Sequence, residues 1–315
     1  MQVGFDGKLF ILAFDHRGSF QKKFFGIDGE PDAEQTRQIS DAKHLIFEGL
    51  LAAIGQGADP SSCGALIDEQ FGSTVPEEAR QRGLTLAMPV ERSGQAVFDF
   101  QYGESFGEHI ERFSPDFAKV LVRYNPEGDR ESNRLQRERL KRLSDWLREP
   151  ARERLSVQPR FLFELLVPAE PHQLQAAGGD PDRYDAELRP ELMCQAIAEL
   201  QEAGIEVDVW KIEGLERRED CVRVVAQARS GGRDHVACVV LGRGADSGRV
   251  EHWLAQAAPV DGFCGFAIGR SIWWDPLKEY VQGSADRASA TEQIAANYLR
   301  FRSVYEQAEA PAALA

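Results

Sequence analysis

Lys211 stands in "VDVWKIEGL", residues 207–215, where a charged side chain interrupts a run that otherwise alternates like a buried strand. An ammonium is costly among apolar neighbours, so burial there favours the free amine, and a second cation nearby acts in the same sense. A free amine is what a Schiff-base nucleophile requires. The structural alternative is an inward lysine held in an ion pair with Glu164 or Glu213. Other polar groups share this setting: Asp15 closes "LFILAFD", Lys119 lies in "FAKVLVRY" and Glu164 in "RFLFELLV". Period-two alternation puts Lys119 and Arg123 on one face of their segment and Lys211 and Glu213 on one face of theirs, with Val207 and Val209 lining the interior below Lys211. Two glycine-bearing stretches offer different chemistry: "LGRGADSGR" carries Gly242 and Gly244, and "IGRSIWWDP" carries Gly269, Arg270 and Ser271. Glycines expose backbone N–H groups, a helix N-terminus favours an anion and a fixed cation completes the set, which together describe a phosphate cup. Arg17, Arg123 and Arg243 are the candidates for a substrate carboxylate, since a guanidinium pairs with that group through two hydrogen bonds.

Such residues need a frame that gathers them. Eight apolar runs bounded by turn residues read as strands, at 9–15, 63–69, 84–90, 117–124, 160–167, 206–213, 236–242 and 260–269. Several are apolar on both faces, as in parallel strands covered by helices. Between them, 132–149 places Leu140, Leu143 and Leu147 at helical spacing, 190–204 ends in Gly204 as a C-cap, and 291–307 makes a last amphipathic helix. The helix in "PEEARQRG" after the second strand is short. Strands alternating with helices predict a single-domain (β/α)8 barrel over residues 1–308, with 309–315 a frayed tail. The chain's 315 residues suit that fold, which commonly runs to about 250 or more. Sites in such barrels lie where the strands end, which is where the polar residues above fall. The stretch 171–190 reads as a long, turn-rich loop on that face, a candidate lid.

Composition removes several classes. A net charge of −14 disfavours nucleic acid and anionic membranes as partners, and no apolar run approaches the ~18 residues of a membrane span. The N-terminus lacks a basic stretch followed by a long apolar one, so no secretory signal is expected and the cytoplasm is the expected location. Five cysteines (Cys63, Cys194, Cys221, Cys238 and Cys264) without a CxxC pair read as buried thiols. No HxH or HExxH disposes the six histidines toward zinc, and no P-loop or Rossmann glycine pattern is present, so neither metal nor cofactor is expected. Asp68 and Glu69 could hold Mg²⁺ or pair with a loop arginine. His16 has the wrong parity to share Asp15's face if the strand continues, which leaves it a packing or loop role beside that of a proton shuttle. Trp253, Trp273 and Trp274 read as helix packing.

"LAFDHRGSF", "AKVLVRYNP", "FLFELLVP", "VDVWKIE" and "GFAIGRSIWWDPL", recurring in this order, resemble the DhnA-type class I aldolases. That family includes tagatose-bisphosphate aldolase, and the greatest similarity is to the aldolase domain fused to 5-dehydro-2-deoxygluconokinase in myo-inositol catabolism. The resemblance covers nearly the whole chain. It implies a cofactor-free lyase whose imine forms on Lys211, with Asp15, Lys119 and Glu164 matching the family's catalytic positions and Gly269 and Arg270 its phosphate pair. The substrate it implies is a phosphorylated sugar, 5-dehydro-2-deoxygluconate 6-phosphate, cleaved to dihydroxyacetone phosphate and malonate semialdehyde. Arg243 departs from the small residue of tagatose-type enzymes, which argues against carrying over their sugar specificity; tagatose 1,6-bisphosphate or a sulfosugar phosphate stands as an alternative substrate, and a non-catalytic sugar-phosphate-binding barrel as an alternative function. A homo-oligomer is compatible with the sequence.

Overall fold

Runs of Val, Ile, Leu and Phe that are apolar on both faces can be buried only between two layers, and the chain meets that demand by closing its sheet on itself. The computed structural model describes residues 2–72, 74–149 and 158–310. All eight expected strands form: β1 (Leu9–Ala13), β2 (Cys63–Leu66), β3 (Thr85–Pro89), β4 (Phe117–Arg123), β5 (Arg160–Leu166), β6 (Val209–Glu213), β7 (Ala237–Leu241) and β8 (Phe263–Ile268). Each pairs in parallel with the next and β8 pairs with β1, which makes a closed (β/α)8 barrel. Alternation divides the side chains. Leu9, Ile11 and Ala13 of β1 point into the barrel with Leu162, Val209 and Val239, whereas Phe10, Leu12 and Phe14 belong to the larger core under the helices. Val207 corrects the expectation for β6. The strand begins only at Val209, and Val207 packs in the outer core.

Aspartates start the principal helices. Asp32 accepts from Gln35 N–H before Ala33–Gly55, Asp129 from Ser132 N–H before Arg130–Arg148, and Asp286 from Ser289 N–H before Arg287–Glu309. Leu140, Leu143 and Leu147 form the buried stripe of their helix, and Gly204 takes φ +75° just past Arg189–Glu202, as a C-terminal glycine does. The last helix continues to Glu309, one residue beyond the expected boundary, and 311–315 fall outside the described residues. Segment 171–190 is not a loop. It folds as helix Pro171–Ala176, a turn at Pro181–Arg183 and a single π-helical turn Tyr184–Leu188 that runs into Arg189–Glu202. Prolines at 171, 181 and 190 sit in the first turns of these pieces, where a missing N–H costs nothing, so turn-forming residues served here as helix starts. Among the described residues no helix is long and apolar enough to cross a membrane. All five cysteines are free; four are buried and Cys194 is half-buried.

Candidate active site

Glu164 and Lys211 are register partners on β5 and β6, so their side chains leave the same layer of the barrel side by side. Lys211 Nζ lies 2.9 Å from Glu164 Oε2, and Lys119 Nζ from β4 lies 2.9 Å from the same oxygen. Two amines therefore converge on one carboxylate oxygen. Lys119 also meets Asp15 at 2.8 Å and Glu91 at 2.9 Å. The cluster sits at the floor of a cavity of about 610 Å³ at the C-terminal ends of the strands, and Lys211 is only 2% exposed. Asp15, Lys119, Glu164 and Lys211 are thus brought together as the sequence led one to expect, and the ion pair with Glu164 forms as well. Glu213 does not join them: its carboxylate accepts from Val167 N–H and pairs with Arg189 and Arg243.

Charge states follow from this packing. Burial alone would depress the Lys119 ammonium, but Asp15, Glu164 and Glu91 around it raise its pKa well above 10.5, so it is a fixed cation. Burial opposes ionisation of Glu164 and Asp15, yet Lys119 and Lys211 hold Glu164 below the usual carboxylate range and Lys119 holds Asp15 lower still. Glu91 goes the other way, since burial pushes its carboxyl up despite Lys119 and Arg17. His16, past the end of β1, lines the cavity with its ring edge-on to Trp273, and burial lowers its pKa to about 4 against the pull of Asp15. It is a neutral imidazole at physiological pH.

Four of the residues expected to form a phosphate cup are brought together. Gly242, Gly244, Gly269 and Arg270 line the same cavity, and Arg270 begins helix Arg270–Val281, whose first N–H groups have no partner within the helix. Gly244 has φ +75°, and a Cβ there would lie 2.6 Å from the Arg270 guanidinium carbon. Glycine is required for the arginine to lie across it. Gly269 has a different reason: a Cβ would come within 2.2 Å of the Ala13 carbonyl oxygen. Ser271 is corrected, because its hydroxyl donates to Ala245 O at 2.7 Å and braces the loop from behind.

Of the three carboxylate candidates, Arg243 is reassigned and Arg17 is partly engaged by protein. Arg243 adopts φ +52° and donates to Asp185 at 2.5 Å, with Glu213 3.0 Å from its Nε, so its charge is spent on protein. Its carbonyl in turn accepts from Arg270 Nη2 at 2.7 Å. Arg17 is buried and lines the cavity, but its two terminal nitrogens already donate to protein, Nη2 to Glu91 O at 2.6 Å and Nη1 to Gln101 at 3.4 Å, which leaves Nε without a partner among the described residues. Arg123 remains. It donates to Gln95 O at 3.2 Å and lines the cavity mouth with Lys23 and Arg92, neither of which has an ion-pair partner among the described residues.

Glu91, Arg92 and Ser93 follow β3, and applying the strand-end rule to "LAMPVERS" would have found them. Asp185 left no sequence signal; it reaches the cavity only because the π-helical turn folds over the barrel mouth. Asp68 is buried against Lys43, and Glu69 accepts from Tyr102 at 2.8 Å and lies 3.3 Å from His109, so both pair within the protein and neither with an arginine. Trp253 and Trp273 are core side chains, each with its indole N–H bonded.

A model of the family described as "uncharacterized protein conserved in bacteria (DUF2090)" matches residues 5–309. No curated protein matches the sequence. Among solved structures, that of Cgl0159 from Corynebacterium glutamicum is 17% identical with a TM-score of 0.53, covering 95% of this chain and 88% of that one. At that identity the likeness is one of fold.

Proposed function

We propose that this chain, which belongs to the DUF2090 family, is a class I aldolase that cleaves a phosphorylated keto-sugar acid, 5-dehydro-2-deoxygluconate 6-phosphate, to dihydroxyacetone phosphate and malonate semialdehyde. The observation that carries the reading is a buried lysine at the floor of a cavity, sharing one glutamate oxygen with a second, permanently charged lysine. A structural ion pair needs neither the cavity nor the second cation.

Arg270 and the N–H groups around Gly242, Gly244 and Gly269 hold the phosphate. Lys211 Nζ adds to the ketone carbon, and the carbinolamine loses water to give an iminium. Glu164 takes the proton of the hydroxyl beyond the scissile bond. The O–H electrons form the aldehyde C=O, and the C–C pair moves into the iminium to give an enamine. Protonation at carbon and hydrolysis release dihydroxyacetone phosphate and restore Lys211. Lys119 stabilises the oxyanion of the carbinolamine.

At the other end, Lys23, Arg92 and Arg123 meet the carboxylate. Three cations suit a second phosphate or a sulfonate equally, which supports a second reading as an aldolase for a bisphosphorylated ketose or a sulfosugar phosphate. The first test is intact-protein mass after incubation with dihydroxyacetone phosphate and borohydride, with peptide mapping. An adduct on Lys211 is expected; a folded protein that gives none refutes the proposal. kcat/KM for the keto-acid phosphate against tagatose 1,6-bisphosphate then separates the two readings, and R92A/R123A should lower it at least tenfold for the preferred substrate while leaving the adduct intact.

A further inference from the structure

Glu91 is buried, lines the cavity and takes no part in the steps above. Its Oε1 lies 2.9 Å from Lys119 Nζ and 3.7 Å from Arg17, while Oε2 is buried without a partner among the described residues. A chain of three 2.9 Å contacts leads from Lys211 through Glu164 and Lys119 to Glu91. We infer that Glu91 is a positioning residue that sets the charge of Lys211: the cluster holds Lys211 as a free amine when Glu91 carries a proton, and as an ammonium when Glu91 is ionised. This rests on the imine reading.

The argument is one of charge balance in a buried site. Facing Glu91 are Lys119 from β4 and Arg17 and Asp15 from the segment after β1; facing Lys211 are Glu164 from β5 and Asp15 and His16 from the segment after β1. Lys119 and Arg17 are cations throughout and match Asp15 and Glu164. A third carboxylate in this low-dielectric volume demands a third cation. His16 is neutral above about pH 4, and Arg270 is matched by the substrate phosphate, so Lys211 is the group that supplies it. Burial pushes the Glu91 carboxyl up against the pull of Lys119 and Arg17, so Glu91 and Lys211 compete for one proton, and removing the carboxylate leaves Lys211 no charge to balance.

The test is the rate of borohydride-trapped adduct formation with dihydroxyacetone phosphate as a function of pH, in wild type, E91Q, E91D and R17Q. The substrate's own phosphate titration is common to all four, so differences in midpoint are what is read. E91Q, fixed neutral, should move the midpoint down by about one pH unit, and R17Q, which removes a cation, should move it up by a similar amount. E91D keeps the charge and should keep the wild-type midpoint. A purely structural role changes amplitudes but leaves midpoints in place. Equal midpoints for E91Q, R17Q and wild type, or shifts of the same sign, overturn the inference; if E91Q does not fold, R17Q against E91D decides it. Absence of an adduct in wild type at every pH removes the imine reading itself, and this inference with it.

Discussion

Replacing Lys119 with methionine is the most informative single change, because the structure fixes both its size and its pH dependence. Lys119 is buried and stands 2.8, 2.9 and 2.9 Å from Asp15, Glu91 and Glu164. Removing one partner of a buried ion pair costs about 3–5 kcal/mol. At pH 8 the variant should therefore lose about 4 kcal/mol, which for a domain of this size is a fall in Tm of roughly 8 °C. The pH dependence has a definite sign. In wild type, Asp15 and Glu164 titrate below their unfolded values, so their stabilisation is present above about pH 4 and is lost as pH falls through the folded values. In K119M Asp15 and Glu91 are buried without the lysine they pair with, and Glu164 keeps only Lys211, so these carboxyls bind protons more tightly folded than unfolded and the variant gains stability as pH falls. The gap between the two proteins should narrow by at least half between pH 8 and pH 5. Urea titrations at both pH values measure it. A loss under about 1 kcal/mol at pH 8, or a gap unchanged at pH 5, would refute the account of Lys119 as the cation that holds the cluster together.

Three further outcomes follow from the site. K211M should give no borohydride adduct yet keep its Tm within a few degrees, since Glu164 retains Lys119; loss of folding would mean that Lys211 is structural. R270A removes charge-assisted hydrogen bonds worth about 1.5–3 kcal/mol, so calorimetry should find inorganic phosphate bound roughly ten- to a hundredfold more weakly; unchanged binding would place the phosphate elsewhere. G269A drives a methyl to within 2.2 Å of Ala13 O, so it should lower both Tm and phosphate affinity by displacing the start of helix Arg270–Val281. Wild-type values in both assays would contradict the close approach.

The sequence by itself determined the barrel. Eight apolar runs, several of them apolar on both faces, have no stable alternative to burial between an inner and an outer layer, and helical stripes such as Leu140, Leu143 and Leu147 supply the outer one. It also determined the nucleophile candidate and its nearest neighbours, because charged residues at strand ends are visible wherever strands are. Alternation worked inside strands, as at Lys211, and gave no guidance at their ends: parity does not bear on His16 because β1 stops at Ala13, and Val207 was placed inside although β6 begins at Val209. What only the tertiary structure decided is which charges are already spent. Arg243 and Arg17 look as available as Arg123 in the sequence, but Asp185 and Glu213 neutralise the first and Glu91 and Gln101 engage the second. Those partners come from segments 58, 30, 74 and 84 residues away. Periodicity reports the direction of a side chain along its own element, whereas electrostatic pairing depends on distance in space, which closure of the barrel alone sets.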